Sequence, residues 1–221
     1  MNKNLLILGT VVILTIVGVL GYKNLIKEKK PSFPTSSLEI SMSEQSLQNK
    51  KVAMIIAFRD FRDPEYFVPK QILENAGAEI KTVSTQQGVA IGADGGEAPV
   101  DILLEDLNPA EFDAVVFIGG PGCLKYLDNA TSYKIAQETI AQNKVLASIC
   151  ISPVILAKAG VLKDKKATVW SSIMDKSPVR ILQEYGAIYQ DKPVVTDGKI
   201  ITGNGPSSAE EFGKAIVNSI I

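Results

Sequence analysis

The sequence predicts an α/β protein with a mostly parallel sheet covered by helices on both faces, preceded by one N-terminal transmembrane helix. Three observations carry this expectation. From residue 51 onward, short apolar runs alternate with stretches of helical spacing. The runs at 51–58 and 144–149 are continuous enough in apolar residues to suit strands buried on both faces. Ahead of them, residues 5–22 read LLILGTVVILTIVGVLGY without one charge.

That stretch, 18 residues long, spans about 27 Å as a helix, close to the ~30 Å of a bilayer core. A cleaved signal peptide is the alternative, with Met1–Asn4 as a short basic start. Against it, no small-x-small cleavage pattern follows; the chain continues KNLIKEKK. Residues 1–30 are therefore expected to form a single-pass membrane anchor, with the membrane as a partner. Residues 31–49, opening PSFPTSS, lack apolar periodicity and read as a flexible linker to a globular part at 50–221. Lysines that follow the segment favour a cytoplasmic domain. The very short N-terminus and Ser/Pro/Thr-rich tether favour an exported one, and the sequence leaves the face open.

Within the globular part, KVAMIIAF at 51–58 is the first strand. Phe67, Val68, Ile72 and Leu73 fall at helical spacing and Gly77 closes that helix, predicted over 65–76. EIKTVST at 79–85 is the next strand, followed by a polar, glycine-rich excursion at 86–98. DAVVFIGGPG at 113–122 is a strand running into glycines. A helix at 131–142, a buried strand at 144–149 and a helix at 153–159 follow, the last stopped by Gly160. ATVW at 167–170 suggests a further strand, and 177–185 a helix. Asp197-Gly198 sits between two β-rich runs at 193–203, a hairpin signal, and a final helix covers 207–219.

Composition removes several function classes. With 23 basic and 24 acidic residues the net charge is -1, which offers no electrostatic case for binding nucleic acid. The chain contains no histidine, so mechanisms needing an imidazole base or ligand are excluded. Two cysteines, Cys123 and Cys150, are too few for a disulfide framework or a cysteine zinc site. No metal or cofactor is expected.

In a parallel α/β fold, reactive groups collect beyond the carboxyl ends of the strands. Cys150 falls at such an end, where an apolar strand turns into a helix carrying Pro153 in its first turn. Ser148 and Ser152, two positions either side, are small enough to let the backbone turn as a nucleophile elbow does. A buried packing cysteine is the plainer alternative. Gly119 and Gly120 end the strand before it, where a backbone N–H could face a developing oxyanion. Cys123 reads as a loop packing residue or as a second, resolving thiol. Glu65 begins the first helix, and there an acid can simply stabilise the helix end. Arg59, Asp60, Arg62 and Asp63 read as a solvated loop.

Taken together, ASICISPVILAKAGVLKDKKAT (147–168), FIGGPG (117–122), FRDPEYFVP (61–69) and DGKIITGNGPSSAEEFGKAIV (197–217) resemble the DJ-1/PfpI (ThiJ) family of the class I glutamine amidotransferase-like superfamily. The resemblance runs over 51–219. It implies a flavodoxin-like three-layer sandwich, homodimeric or larger. It also implies Cys150 as the reactive cysteine, Glu65 as the acid beside it, and Gly120 and the Ile151 N–H as oxyanion donors. The family's proteases carry histidine directly after the cysteine, where this chain has Ile151. Other members carry one in the segment after the elbow helix, where Trp170 stands. Arg62 occupies a position that is glutamate in many members.

The function the resemblance implies is glyoxalase-, deglycase- or stress-protective chemistry on a small reactive electrophile, a carbonyl or an oxidant. A non-catalytic redox-sensing or binding module is the competing class, and a cysteine peptidase without histidine comes last. A helix N-terminus and a protonated Glu65 would lower the thiol pKa of Cys150, which sets the expectation of a standing thiolate.

Overall fold

The computed structural model describes residues 46–221. The anchor expected at 5–22 and the linker up to residue 45 lie outside the described residues. Among the described residues, no helix is long and apolar enough to cross a membrane.

In chain order the elements are β1 (Lys51–Ile55), β2 (Arg59–Phe61), α1 (Asp63–Asn75), β3 (Glu79–Ser84), β4 (Val89–Gly92), β5 (Glu97–Pro99) and β6 (Ile102–Leu103). They continue with β7 (Ala114–Phe117), α2 (Cys123–Leu127), α3 (Ala130–Ala141), β8 (Val145–Ile149), α4 (Pro153–Lys158), β9 (Lys166–Ala167) and α5 (Ser177–Glu184). The chain closes with β10 (Ile188–Tyr189), β11 (Val194–Asp197), β12 (Ile200–Gly203) and α6 (Ala209–Ile220).

The main sheet has seven strands in the order β11-β12-β8-β7-β1-β3-β6. Every pairing in it is parallel except β11 with β12, the hairpin predicted at Asp197-Gly198. The strand order reverses between β1 and β7, which makes the carboxyl end of that pair the place where an open α/β sheet binds ligands.

Alternation along β1 builds the three layers. Val52, Met54 and Ile56 enter one apolar cluster with Leu73 of α1 and Phe212 and Ile216 of α6. Ala53 and Ile55 face the opposite cluster with Ile135 of α3, Leu156 of α4 and Leu182 of α5. The sheet is therefore buried on both faces, as its continuous apolar strands require. Helix α6 shows how the sequence fills one layer: Phe212, Ile216 and Ile220, four apart, are all buried.

Several expectations need correction. The helix expected from 65 begins at Asp63, because Pro64 supplies a pre-set φ in the first turn. The excursion at 86–98 is ordered: β4 pairs antiparallel with β5 and parallel with β2 in a three-stranded sheet. The strand expected at 167–170 ends at Ala167 and pairs only with β10. Beyond it the Thr168 N–H donates to Thr202 Oγ1 and the Trp170 N–H to the Cys150 carbonyl, which draws the chain across the strand ends. Finally, Leu47 is no part of a free linker. Its side chain is fully buried in the cluster with Val52 and Leu73, and its N–H donates to the Ala76 carbonyl at 2.6 Å.

Candidate active site

Cys150 follows the last residue of β8 and has φ +65°, a left-handed conformation that a non-glycine residue rarely takes. Such an outlier persists only where the surroundings hold it. Its N–H donates to the Gly203 carbonyl of β12 at 2.9 Å and its own carbonyl accepts from Trp170 at 2.8 Å. Ser152 does more than stay small. Its hydroxyl accepts from the Ile149 N–H at 3.0 Å and lies 2.8 Å from the carbonyl oxygens of Phe117 and Ile149, donating to one of them. The hydroxyl thus lies between the elbow and the end of β7, and both peptide groups of Cys150 are held by neighbouring chain.

Glu65 stands in the first turn of α1, yet its side chain is fully buried, which a solvated helix-end acid would not be. Neither carboxyl oxygen meets hydrogen-bond geometry with a protein group. The Cys150 thiol and the Gly119 N–H nevertheless lie near enough to pull the acid down, and Arg62 adds its charge. Desolvation outweighs all three, and the carboxyl is pushed up to about 7. Gly119 fits between the two groups because it has no side chain. A Cβ there would sit 2.6 Å from Cys150 Cβ and 2.7 Å from Glu65 Oε2. Gly120, at φ +113°, brings its N–H to the sulfur.

The thiol does not follow the sequence expectation. Burial pushes the Cys150 thiol up, and the Glu65 carboxylate pushes it further when ionised. The Gly120 and Ile151 N–H groups, the two predicted donors, both act on the sulfur and pull the other way, but burial wins. The pair titrates as one unit, a thiol beside an acid that ionises near neutrality.

Around Cys150 lies a cavity of about 360 Å³ lined by Arg62, Gly120, Pro121, Leu124, Ile151, Trp170 and Pro206. The structure brings Glu65, Gly119, Gly120, Ile151 and Cys150 together. Cys123 is the first residue of α2, fully buried, and burial holds its thiol well above the ordinary value, so it is poorly suited to serve as a second thiol. Asp63, read as solvated, accepts the N–H groups of Asp94 at 2.8 Å and Gly96 at 2.6 Å and so pins the β4–β5 loop. Pro206 went unnoticed as a wall of the site. The signal was its place just beyond β12, at the carboxyl edge of the sheet.

A cysteine held at a strand-to-helix elbow, with a buried acid against it and two backbone N–H groups on its sulfur, sits at the carboxyl edge of the sheet of a flavodoxin-like fold. The chain belongs to the DJ-1/PfpI family, whose model matches residues 50–219. It is 40% identical to an uncharacterized protein of Methanocaldococcus jannaschii, over 80% of this chain and 85% of that one. It is 32% identical to the deglycase PfpI of Pyrococcus furiosus, over 69% of this chain and 89% of that one. Among solved structures, the ThiJ/PfpI domain protein from Brachyspira murdochii is similar with a TM-score of 0.73 at 32% identity, covering 77% of this chain and 95% of that one.

Proposed function

We propose that Cys150 and Glu65 act as a nucleophile and a single proton-carrying group on small reactive carbonyl compounds, in glyoxalase- or deglycase-like, stress-protective chemistry. The observation that carries this reading is the burial of Glu65 against Cys150, which sets an acid ionising at about 7 beside the thiol. A base matched to neutral pH is what general catalysis needs. Ionised Glu65 takes the thiol proton as sulfur bonds to the aldehyde carbon, and the carbonyl π pair moves to oxygen. Glu65 then hands that proton to the oxygen, which completes the hemithioacetal; in a 2-oxoaldehyde the carboxylate so freed removes the proton on that carbon and returns it to the neighbouring carbon. One carbon is oxidised, the next reduced, and water releases the 2-hydroxy acid from the thioester. The deglycase relative supports this class of substrate.

The redox-sensor reading is less favoured because a sensor needs a standing thiolate, and burial holds Cys150 protonated. Tethering by an anchor at 5–22 and assembly as a homodimer or larger remain part of the proposal, the first from the charge-free segment and the second from the family. The test is conversion of methylglyoxal to lactate by the full chain in detergent. Wild type should turn over and Cys150→Ser should not; equal rates in the two would end the proposal.

A further inference from the structure

The cavity over Cys150 is apolar on nearly every side, formed by Pro121, Leu124, Ile151, Trp170 and Pro206. Among the described residues, Arg62 is the one charged side chain that lines it. Arg62 pairs with Asp94, but through Nη1 alone, at 3.2 and 3.3 Å. Nη2 and Nε have no protein acceptor among the described residues, so part of the guanidinium fork is free. The pair is also open to water, with Arg62 32% and Asp94 54% exposed in their side chains. An exposed pair of this kind is held weakly, and a second anion can join or displace it. Asp94 itself does not line the cavity.

We propose that this cavity selects carbonyl substrates bearing an anionic group, specifically 2-oxoaldehydes with a terminal carboxylate, and that Arg62 is the residue that receives the carboxylate. The inference rests on the carbonyl reading of Cys150 and names its substrate class. A carboxylate matches the guanidinium fork in geometry and charge. The apolar walls set no negative charge against an anion there, and Glu65, buried beside Cys150, is partly protonated at neutral pH. For 4,5-dioxopentanoate the chemistry balances without an external oxidant. Sulfur bonds to the aldehyde carbon, that carbon ends as a carboxylate, the ketone becomes an alcohol, and water completes 2-hydroxyglutarate.

Two measurements on the full chain in detergent, at fixed ionic strength, test this separately from turnover itself. The first is the ratio of kcat/KM for 4,5-dioxopentanoate to that for methylglyoxal. Removing a charge-assisted contact in Arg62→Ala should lower the ratio roughly tenfold to hundredfold. Arg62→Lys should keep part of it, and Asp94→Asn should raise it. Ratios cancel any change in Cys150 or Glu65 that both substrates share. The second is the alkylation of Cys150 by iodoacetate relative to iodoacetamide, which needs no catalysis. That ratio should fall in Arg62→Ala and rise in Asp94→Asn. Both ratios unchanged across these variants, with near-ultraviolet circular dichroism intact, would overturn the proposal. An alkylation ratio that follows Arg62, with no Cys150-dependent turnover of either carbonyl, would keep the anion subsite and remove the carbonyl reading instead.

Discussion

Burial of Glu65 carries an electrostatic cost, and the cost has a direction in pH. Its folded pKa is raised from 4.5 to about 7, so the folded protein binds more protons than the unfolded chain between those values. Stability from this residue therefore falls as pH rises through that window, by about 3 kcal/mol when complete at 1.36 kcal/mol per unit. Glu65→Gln should gain on wild type by that order between pH 4 and pH 8, read as the difference in urea unfolding free energy at the two values. The same group sets the rate profile. If Glu65 is the base, kcat/KM for methylglyoxal should climb with pH and level off above about 7. A profile flat from pH 5 to 8 would remove Glu65 from that role. Because its charge also raises the Cys150 thiol, Glu65→Leu should lower the pH at which iodoacetamide alkylation reaches half its plateau. The sequence suggested the reverse, since position shows a helix end and an acid but not how far both are sunk from water.

The elbow is an element-scale device. β8 delivers Cys150, the Ser152 hydroxyl ties the turn to β7, and Trp170 and Gly203 clamp the two peptide groups of Cys150. Small residues at 148 and 152 were legible as steric permission. The staple was not, because the Phe117 carbonyl it reaches belongs to another strand. Ser152→Ala should leave the Ile149 N–H without its acceptor and cost about 1–3 kcal/mol. It should also loosen the strained turn, seen as faster amide exchange at 149–153. Gly119→Ala is the sharper probe, since its methyl would lie 2.6 Å from Cys150 Cβ and 2.7 Å from Glu65 Oε2. The expected result is a folded protein with a parted Cys150–Glu65 pair, whose alkylation profile approaches that of Glu65→Leu.

For the whole molecule, the N-terminal limit of the core is a measurable boundary. Leu47 is buried with Val52 and Leu73, so a fragment of 46–221 should unfold cooperatively, whereas one of 50–221 should be less stable by about 2–5 kcal/mol, the cost of an emptied leucine site. Equal melting temperatures would show Leu47 to be dispensable. The full chain should sediment with membranes and the fragment of 46–221 should not, if 5–22 anchors it.

By itself the sequence determined the alternation of strands and helices, because the apolar period records which faces each element buries, and that is local information. It also shows no histidine in this chain, and it marked Cys150, Glu65 and the Gly119-Gly120 loop by their places at strand and helix ends. The remaining features come from the folding of distant segments against one another. It buried Glu65 without a hydrogen-bond partner, turned the thiol pKa upward, set Asp63 on the β4–β5 loop, and faced Arg62, Trp170 and Pro206 into one cavity. Those outcomes depend on desolvation and on contacts between segments far apart in the chain. Neither leaves a trace in the spacing of residues along it.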